Sequence, residues 1–174
     1  MSIKYGSEIK ISLLKYVEIL KKWNKAVNLS RVTNNFWERH IEDSLQISSD
    51  LDNNEKIIDI GTGNGFPGIV LAICGFKNIV LCEKNHKKSA FLLTVKSELS
   101  LEIKIYNGDI YNFEEKGYAC VSRAFGSLLE LLKIMDKMQA TKGVFHKGES
   151  CGKEINEAKV FFEFDCIDKK KHNK

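Results

Sequence analysis

Three glycines at alternate positions are the residues of this 174-residue chain best suited to hold a ligand. Gly61, Gly63 and Gly65 lie in a segment, 59–68, that joins one short apolar run to the next. Glycine adopts positive φ and lets the backbone approach a bound molecule closely. The spacing therefore predicts a cofactor-binding or nucleotide-binding turn between a strand and a helix.

Two ligand classes compete for this turn. A GxGxxG fingerprint from Gly63 to Gly68, with Glu83 at about the expected distance, is typical of dinucleotide-binding folds. However, Gly61 already begins the turn, and Asp59 stands where those folds carry an apolar residue. An acid, one further residue and then GxGxG is the pattern of S-adenosylmethionine-dependent methyltransferases. A glycine-rich turn without any ligand is the third interpretation.

Two further segments suggest contacts to a nucleoside. Glu83 ends the second predicted strand, where a carboxylate can accept both ribose hydroxyls. After the third predicted strand, Asp109 can accept from an adenine amine, and Ile110 or Tyr111 can cover the ring. A solvated acid at a strand end and a simple Asn-Gly turn explain the same residues, so both interpretations stay open.

Residues that the chain lacks narrow the reaction. A single proline, Pro67, excludes the (Asn/Asp)-Pro-Pro-aromatic loop used to methylate exocyclic amines. Methylation of a pyrimidine carbon needs a cysteine nucleophile, commonly after a proline, and Pro67 precedes Gly68. The acceptor that remains is already nucleophilic: a ring nitrogen, an oxygen or a small molecule. A nitrogen such as guanine N7 needs mainly proximity and in-line orientation against a sulfonium methyl.

The elements that position these residues alternate along the chain. Strands are predicted over 57–60, 78–82, 101–106, 118–122, 143–145 and 160–164, and helices over 69–74, 87–99, 128–138 and 153–159. Two more helices, 7–25 and 35–49 (capped by Asn34), precede them. This order predicts an α/β, Rossmann-like fold at 55–174, with a mostly parallel sheet covered by helices on both faces, after an N-terminal helical extension at 1–54. Ligands bind such sheets at the carboxyl ends of the strands.

Charge and composition favour an anionic partner and no membrane. Lysine and arginine number 27 against 23 acids, and the excess is concentrated within residues 1–40 and 84–96. Such faces suit nucleic acid, although a solvated lysine-rich surface is the alternative. The five cysteines form no CxxC pair, so no metal site is predicted. The apolar runs are too short to span a bilayer and no signal peptide is recognised, so a cytoplasmic protein is expected.

Four segments together identify a family. They are KWNKAVNL at 22–29, RHIEDSL at 39–45, IDIGTGNGFPGI at 58–69 and SRAF at 122–125. With these segments in this order, the chain resembles the bacterial small-subunit ribosomal RNA methyltransferase G family, also called glucose-inhibited division protein B. The resemblance implies a cytosolic enzyme that uses S-adenosyl-L-methionine to methylate N7 of a guanine in 16S ribosomal RNA, free or in the small ribosomal subunit. A monomer is expected.

The resemblance and the residue patterns together give a set of site residues. The expected cofactor contacts are Asp59, Gly61, Thr62, Gly63, Gly65, Phe66, Glu83, Asp109, Ile110, Tyr111 and Arg123. The expected RNA contacts are Lys22, Lys25, Lys84, Lys87, Lys88 and Lys147. Arg123 is also the residue expected to act in catalysis, because a guanidinium at a strand end can reach the cofactor carboxylate or an RNA phosphate.

Other motif residues are expected to be structural. Trp23 and Asn28 are interpreted as packing and capping residues, and His40 as a satisfied, buried histidine. The chain departs from the family at Tyr111, where relatives often carry an acid, and at the end, where a final apolar strand is expected and not found. Three rival functions stay open: a small-molecule methyltransferase, a nicotinamide-dependent oxidoreductase and a non-catalytic RNA-binding relative.

Overall fold

A sheet of five parallel strands forms the centre of the computed structural model, which describes residues 6–25, 29 and 36–169. The strands are β1 (Ile57–Ile60), β2 (Ile79–Cys82), β3 (Lys104–Tyr106), β4 (Ala119–Arg123) and β5 (Lys142–His146). Their order is β3-β2-β1-β4-β5, with Ile57 opposite both Ile79 and Ala119. From β1 the chain adds β2 and β3 on one side, and it then crosses to the other side of β1 to add β4 and β5. The switch point therefore lies between β1 and β4. In open α/β sheets this switch point is where ligands bind, at the carboxyl ends of the strands.

Helices and short helical turns connect and precede the strands. They are α1 (Ser7–Asn24), a π-helix (Trp37–Glu42), α2 (Asp43–Gln46), a 3-10 helix (Ile47–Asp50), α3 (Gly68–Ile73), α4 (His86–Glu98), a second 3-10 helix (Ile110–Asn112), α5 (Leu128–Lys137) and α6 (Cys151–Ala158). Asn85 begins α4 because its side chain accepts from the backbone N–H groups of Lys87 and Lys88, at 3.0 and 3.2 Å.

Two hydrophobic clusters lie on opposite faces of the sheet. Ile57 belongs to the cluster that contains side chains of α1, α3 and α4, whereas its neighbour Ile58 belongs to the cluster that contains side chains of α5. This alternation follows from the two-residue period of a strand. Because both faces are covered, β1 is buried along its whole length, which explains its nearly continuous apolar sequence.

The N-terminal helices share the first of these clusters. Tyr16 of α1 is fully buried, and its ring lies 5.4 Å from that of Phe66 and 6.5 Å from that of Phe91, centroid to centroid. Trp23 packs edge-on against Phe91 at 5.9 Å, which confirms its structural interpretation. The extension therefore packs directly on the helices that flank β1.

The predicted fold class and the first five strands are confirmed, and the sixth strand is wrong. Residues 160–164 form no strand, and Val160 and Phe161 are exposed. The segment has a strand-like composition, but none of the described residues pairs with it. The predicted caps Asn28 and Asn34 lie outside the described residues. Among those described, no helix has the length and apolar character needed to cross a bilayer.

Candidate active site

The loop between β1 and α3 requires its glycines. Gly61, Gly63 and Gly65 have φ angles of +64°, +58° and +92°, a region that side chains other than glycine rarely adopt. A Cβ on Gly61 would lie 2.2 Å from Cδ2 of Phe125, and one on Gly65 would lie 2.4 Å from Cγ1 of Ile69. The loop therefore combines left-handed backbone with close packing, as the spacing predicts.

Asp59 and Thr62 shape this loop from beneath. The Asp59 carboxylate is fully buried, and its Oδ2 accepts from Thr62 Oγ1 at 2.6 Å and from the Gly68 N–H at 2.8 Å. Burial raises the pKa of Asp59 to about 6, against the opposing effect of these two hydrogen bonds. Both residues were predicted to contact the cofactor; the structure places them under the loop, where they join its beginning to its end.

Glu83 lies directly beside the loop. Its Oε2 accepts from the Gly63 N–H at 2.9 Å, and its Oε1 accepts from the Asn85 N–H at 2.8 Å. Each carboxylate oxygen has a second lone pair, so both oxygens can accept another donor. The predicted proximity of Glu83 to the glycine loop is confirmed.

The turn after β3 is tied to Glu83. Asn107 Nδ2 donates to the Glu83 carbonyl at 2.9 Å. Asp109 accepts from the Tyr111 N–H at 3.1 Å and lies 3.9 Å from the Lys84 ammonium. Ile110 is buried, whereas Tyr111 is 43% exposed. The predicted nucleoside contacts therefore lie next to one another along the ends of β2 and β3, with an exposed aromatic ring among them.

Arg123 extends from the end of β4 towards the same loop. Its Nη1 donates to the Arg39 carbonyl at 2.9 Å, and its Nη2 donates to Nδ1 of His40. Its Cζ lies 4.9 Å from the centroid of the Phe66 ring, a cation–π distance. Burial lowers the Arg123 pKa, while Tyr16 and other nearby groups raise it. Arg123 thus joins the glycine loop to the N-terminal extension.

Sequence reasoning missed the residues by which the extension holds the loop. The Tyr16 hydroxyl donates to the Asn64 carbonyl, and Asn64 Nδ2 donates to the Leu29 carbonyl at 2.8 Å. The Leu29 N–H in turn donates to Asn24 Oδ1 at 2.6 Å. Among the apolar residues of the predicted helix 7–25, Tyr16 carries a hydroxyl group, and Asn24 lies in the motif segment 22–29. Those two features are the signals that the sequence offers.

Five of the six predicted RNA-contacting lysines lie in two stretches of the chain, the end of α1 and the segment from Lys84 to Lys88. Helix α1 runs against α4 so that Lys15 pairs with Glu98 at 3.4 Å, and the end of α1 lies near the first half of α4 through Trp23 and Phe91. A Cβ on Gly63 would lie 3.9 Å from Lys88 Nζ. We call the five residues, which are exposed or half-buried, the basic cluster: Lys22, Lys25, Lys84, Lys87 and Lys88.

Lys147 has a different position. Its ammonium lies 2.7 Å from Glu154 Oε2 and donates to the Gly126 carbonyl at 2.9 Å, and its side chain is only 11% exposed. Glu154 also accepts from the Leu128 N–H at 2.7 Å. In this structure the Lys147 side chain links the end of β5 to α6 and to the turn before α5, and its RNA contact stays a prediction.

Comparison with known sequences gives a consistent result. The family described as GidB, rRNA small subunit methyltransferase G, matches residues 9–174. The ribosomal RNA small subunit methyltransferase G of Orientia tsutsugamushi (strain Ikeda) is 37% identical over 154 residues, covering 86% of this chain and 78% of the relative. The protein of the same name from Rickettsia prowazekii is 38% identical over 169 residues, covering 95% and 88%.

Solved structures show the same fold at low sequence identity. TYW2 of M. jannaschii in complex with AdoMet superposes with a TM-score of 0.55 at 20% identity, covering 70% of this chain and 55% of that one. The tRNA (uracil-54, C5)-methyltransferase of Pyrococcus abyssi, in complex with S-adenosyl-L-homocysteine, gives 0.56 at 17% identity, covering 67% and 30%. The Rossmann-like fold is thereby confirmed.

Proposed function

Because the chain belongs to the GidB family of rRNA small subunit methyltransferase G proteins, we propose that it transfers the methyl group of S-adenosyl-L-methionine to N7 of a guanine in 16S ribosomal RNA. The observation that carries the proposal is the meeting of the glycine loop, Glu83 and Arg123 at the carboxyl ends of three neighbouring strands. We further propose that the protein is a cytoplasmic monomer.

The residues of the site fit the proposed cofactor. The oxygens of Glu83 have lone pairs for two ribose hydroxyls next to the Gly63 backbone. Asp109 and Tyr111 are accessible for an adenine amine and an adenine ring. Arg123 supplies a cation for the carboxylate end. When bound, the cofactor supplies an electrophilic sulfonium methyl group.

The protein then acts mainly by binding and orienting. Guanine N7 carries a free lone pair and no proton, so its methylation requires no general base. Holding N7 in line with the methyl group lowers the entropic part of the barrier. The arrangement therefore needs a rigid loop and a fixed acceptor rather than an acid–base pair.

The basic cluster supports an RNA acceptor over a small molecule. Exposed lysines such as Lys22 and Lys25 lie at the loop end of α1, and Lys88 Nζ lies close to Gly63. Ammonium groups that neutralise phosphates release counterions, which makes binding salt-dependent. A small-molecule acceptor would need no such surface beside the site.

The first test is transfer of labelled methyl from S-adenosylmethionine to small ribosomal subunits from a strain that lacks the corresponding gene. We expect label on one guanine, at N7, with a Gly61→Arg variant as the inactive control. Turnover without RNA would indicate a small-molecule methyltransferase. RNA binding without cofactor affinity would indicate a non-catalytic relative, and tight NAD binding an oxidoreductase.

A further inference from the structure

The segment that contacts Arg123 has an uncommon backbone. Residues Trp37–Glu42 form a π-helix between the described start of this helical stretch at Phe36 and helix α2. Such wide turns are rare and occur frequently at functional sites. Here the π-helical residues Arg39 and His40 present a carbonyl and a ring nitrogen to one guanidinium. The unusual backbone thus coincides with a convergence of two acceptors.

These two acceptors fix the plane of the Arg123 side chain. A guanidinium has five N–H donors in a rigid fork, and Nη1 and Nη2 each use one of them here. The ring of Phe66, the last loop residue before Pro67, lies against the guanidinium with its centroid 4.9 Å from Cζ. The group is therefore held on several sides while donors remain for a ligand.

His40 is itself held in place by aromatic rings. Its ring centroid lies 4.5 Å from that of Phe36 and 5.0 Å from that of Phe66. Burial, assisted by the charge of Arg123, lowers the pKa of His40 to about 4. The imidazole is neutral at pH 7, so Nδ1 can accept the hydrogen bond from Arg123.

We propose that His40 is a positioning residue that acts through Arg123: it orients the guanidinium so that the remaining N–H donors receive an oxyanion at the glycine loop. The inference rests on the proposed function, because that function supplies the oxyanion. Its source is the carboxylate of the cofactor or a phosphate of the RNA. A fork whose plane is fixed in advance loses little entropy on binding such a group.

The test separates the two sources by binding rather than by turnover. Affinities for S-adenosylhomocysteine and for methylthioadenosine, which lacks the aminocarboxypropyl group, are measured by calorimetry on the full chain. His40→Phe keeps a ring between Phe36 and Phe66 and removes the acceptor. We expect it to weaken S-adenosylhomocysteine binding roughly 10-fold, as expected for a lost charge-assisted contact, and methylthioadenosine binding less than about twofold on the same scale.

Two further variants distinguish positioning from general packing. Ile41→Val alters a buried neighbour in the same π-helix; we expect a lower melting temperature and an unchanged ratio of the two affinities. In the double variant His40→Phe with Arg123→Ala, we expect no loss beyond that of Arg123→Ala alone, because residues that act as a unit are not additive.

The RNA arm repeats the measurement with a 16S fragment at several salt concentrations. Equal losses of RNA affinity in His40→Phe and Arg123→Ala, with S-adenosylhomocysteine binding retained, would identify a phosphate as the oxyanion and support the proposal. The proposal would be overturned if His40→Phe bound both S-adenosylhomocysteine and RNA with wild-type affinity. It would also be overturned if His40→Phe weakened the binding of S-adenosylhomocysteine and methylthioadenosine equally, or if the losses of the two single variants added up in the double variant. A wild type that binds no S-adenosylhomocysteine contradicts the proposed function instead, and the RNA arm alone then decides on His40.

Discussion

The hydroxyl of Tyr16 on the first helix donates a hydrogen bond to the backbone carbonyl of Asn64 in the glycine loop, 48 residues further along the chain. Tyr16 is fully buried, and a buried hydroxyl is costly unless it is paired. The contact therefore satisfies two polar groups at once and supports the loop on the side that faces the extension.

The variant Tyr16→Phe is expected to weaken both the fold and the loop. The substitution removes one donor and keeps the ring that packs on Phe66. We expect the free energy of unfolding to fall by about 1–2 kcal/mol because the Asn64 carbonyl loses its partner, and the affinity for S-adenosylhomocysteine to fall several-fold. Urea unfolding and calorimetry measure the two effects. Tyr118→Phe is the matched control, since its hydroxyl donates to Glu115, outside the loop. Equal loss of affinity in both variants would contradict the role of Tyr16.

The variant Gly61→Ala is expected to lose cofactor affinity through a contact with Phe125. The added methyl group would lie 2.2 Å from Phe125, and the alanine would also be strained because φ at this position is +64°. The control is Gly75→Ala, because Gly75 has a φ of +94° and a Cβ placed there would meet nothing within 4 Å. We expect Gly75→Ala to cost about 1 kcal/mol of stability with unchanged affinity, and Phe125→Ala to restore part of the affinity of Gly61→Ala. If Phe125→Ala restores none of the affinity lost in Gly61→Ala, the whole loss is due to backbone strain at position 61 and not to the contact with Phe125.

The raised pKa of Asp59 predicts a pH-dependent stability. The pKa of Asp59 is about 6 in the folded protein, against an ordinary value of 3.8. Between pH 3.8 and pH 6 the folded protein therefore holds a proton on Asp59 that the unfolded chain has mostly released. The stabilisation present below pH 4 is therefore lost as the pH rises through 6, by about 3 kcal/mol in total. Asp59→Asn cannot titrate, so its stability relative to the wild type should rise by about that amount between pH 3 and pH 7. A difference that is independent of pH in urea unfolding would refute the raised pKa.

Lys147 is expected to affect stability and not RNA binding, whereas Lys22 and Lys25 are expected to affect RNA binding and not stability. Lys147→Ala breaks the internal pair with Glu154, so the free energy of unfolding should fall by about 1–3 kcal/mol while RNA affinity is kept. Lys22→Ala and Lys25→Ala should leave stability unchanged and reduce the slope of log affinity against log salt by about one each. Filter binding and urea unfolding check both sets. An RNA defect in Lys147→Ala without a loss of stability would support its predicted RNA contact instead.

Much of the fold could be predicted because local pattern and tertiary environment agree. Buried strands such as β1 and β2 have continuous apolar sequences, and the glycine spacing marks the loop that follows β1. The proximity of Glu83 to that loop followed from strand order alone. These features depend on short segments and on the rules of parallel sheets.

The remaining features depend on contacts between distant segments. His40 and Arg123 are 83 residues apart, and the position of Lys147 is set by Glu154 on a helix that follows it. The strand expected at 160–164 failed because strand propensity needs a partner strand. The π-helix at Trp37–Glu42 has no simple signature in apolar periodicity, since the pattern of the same residues predicts an ordinary helix.

The shared hydrophobic cluster of α1, α3 and α4 makes the extension part of the cooperative folding unit rather than an appended module. Removing it would leave Ile69 and Phe91, both fully buried, on an open apolar face of the kind that promotes self-association. Backbone amides in the middle of α1 and of β1 should accordingly exchange with deuterium through the same global opening. The lysines of α1 that we propose to contact RNA and the residues of α1 that hold the glycine loop would then be lost and regained together, in one folding event.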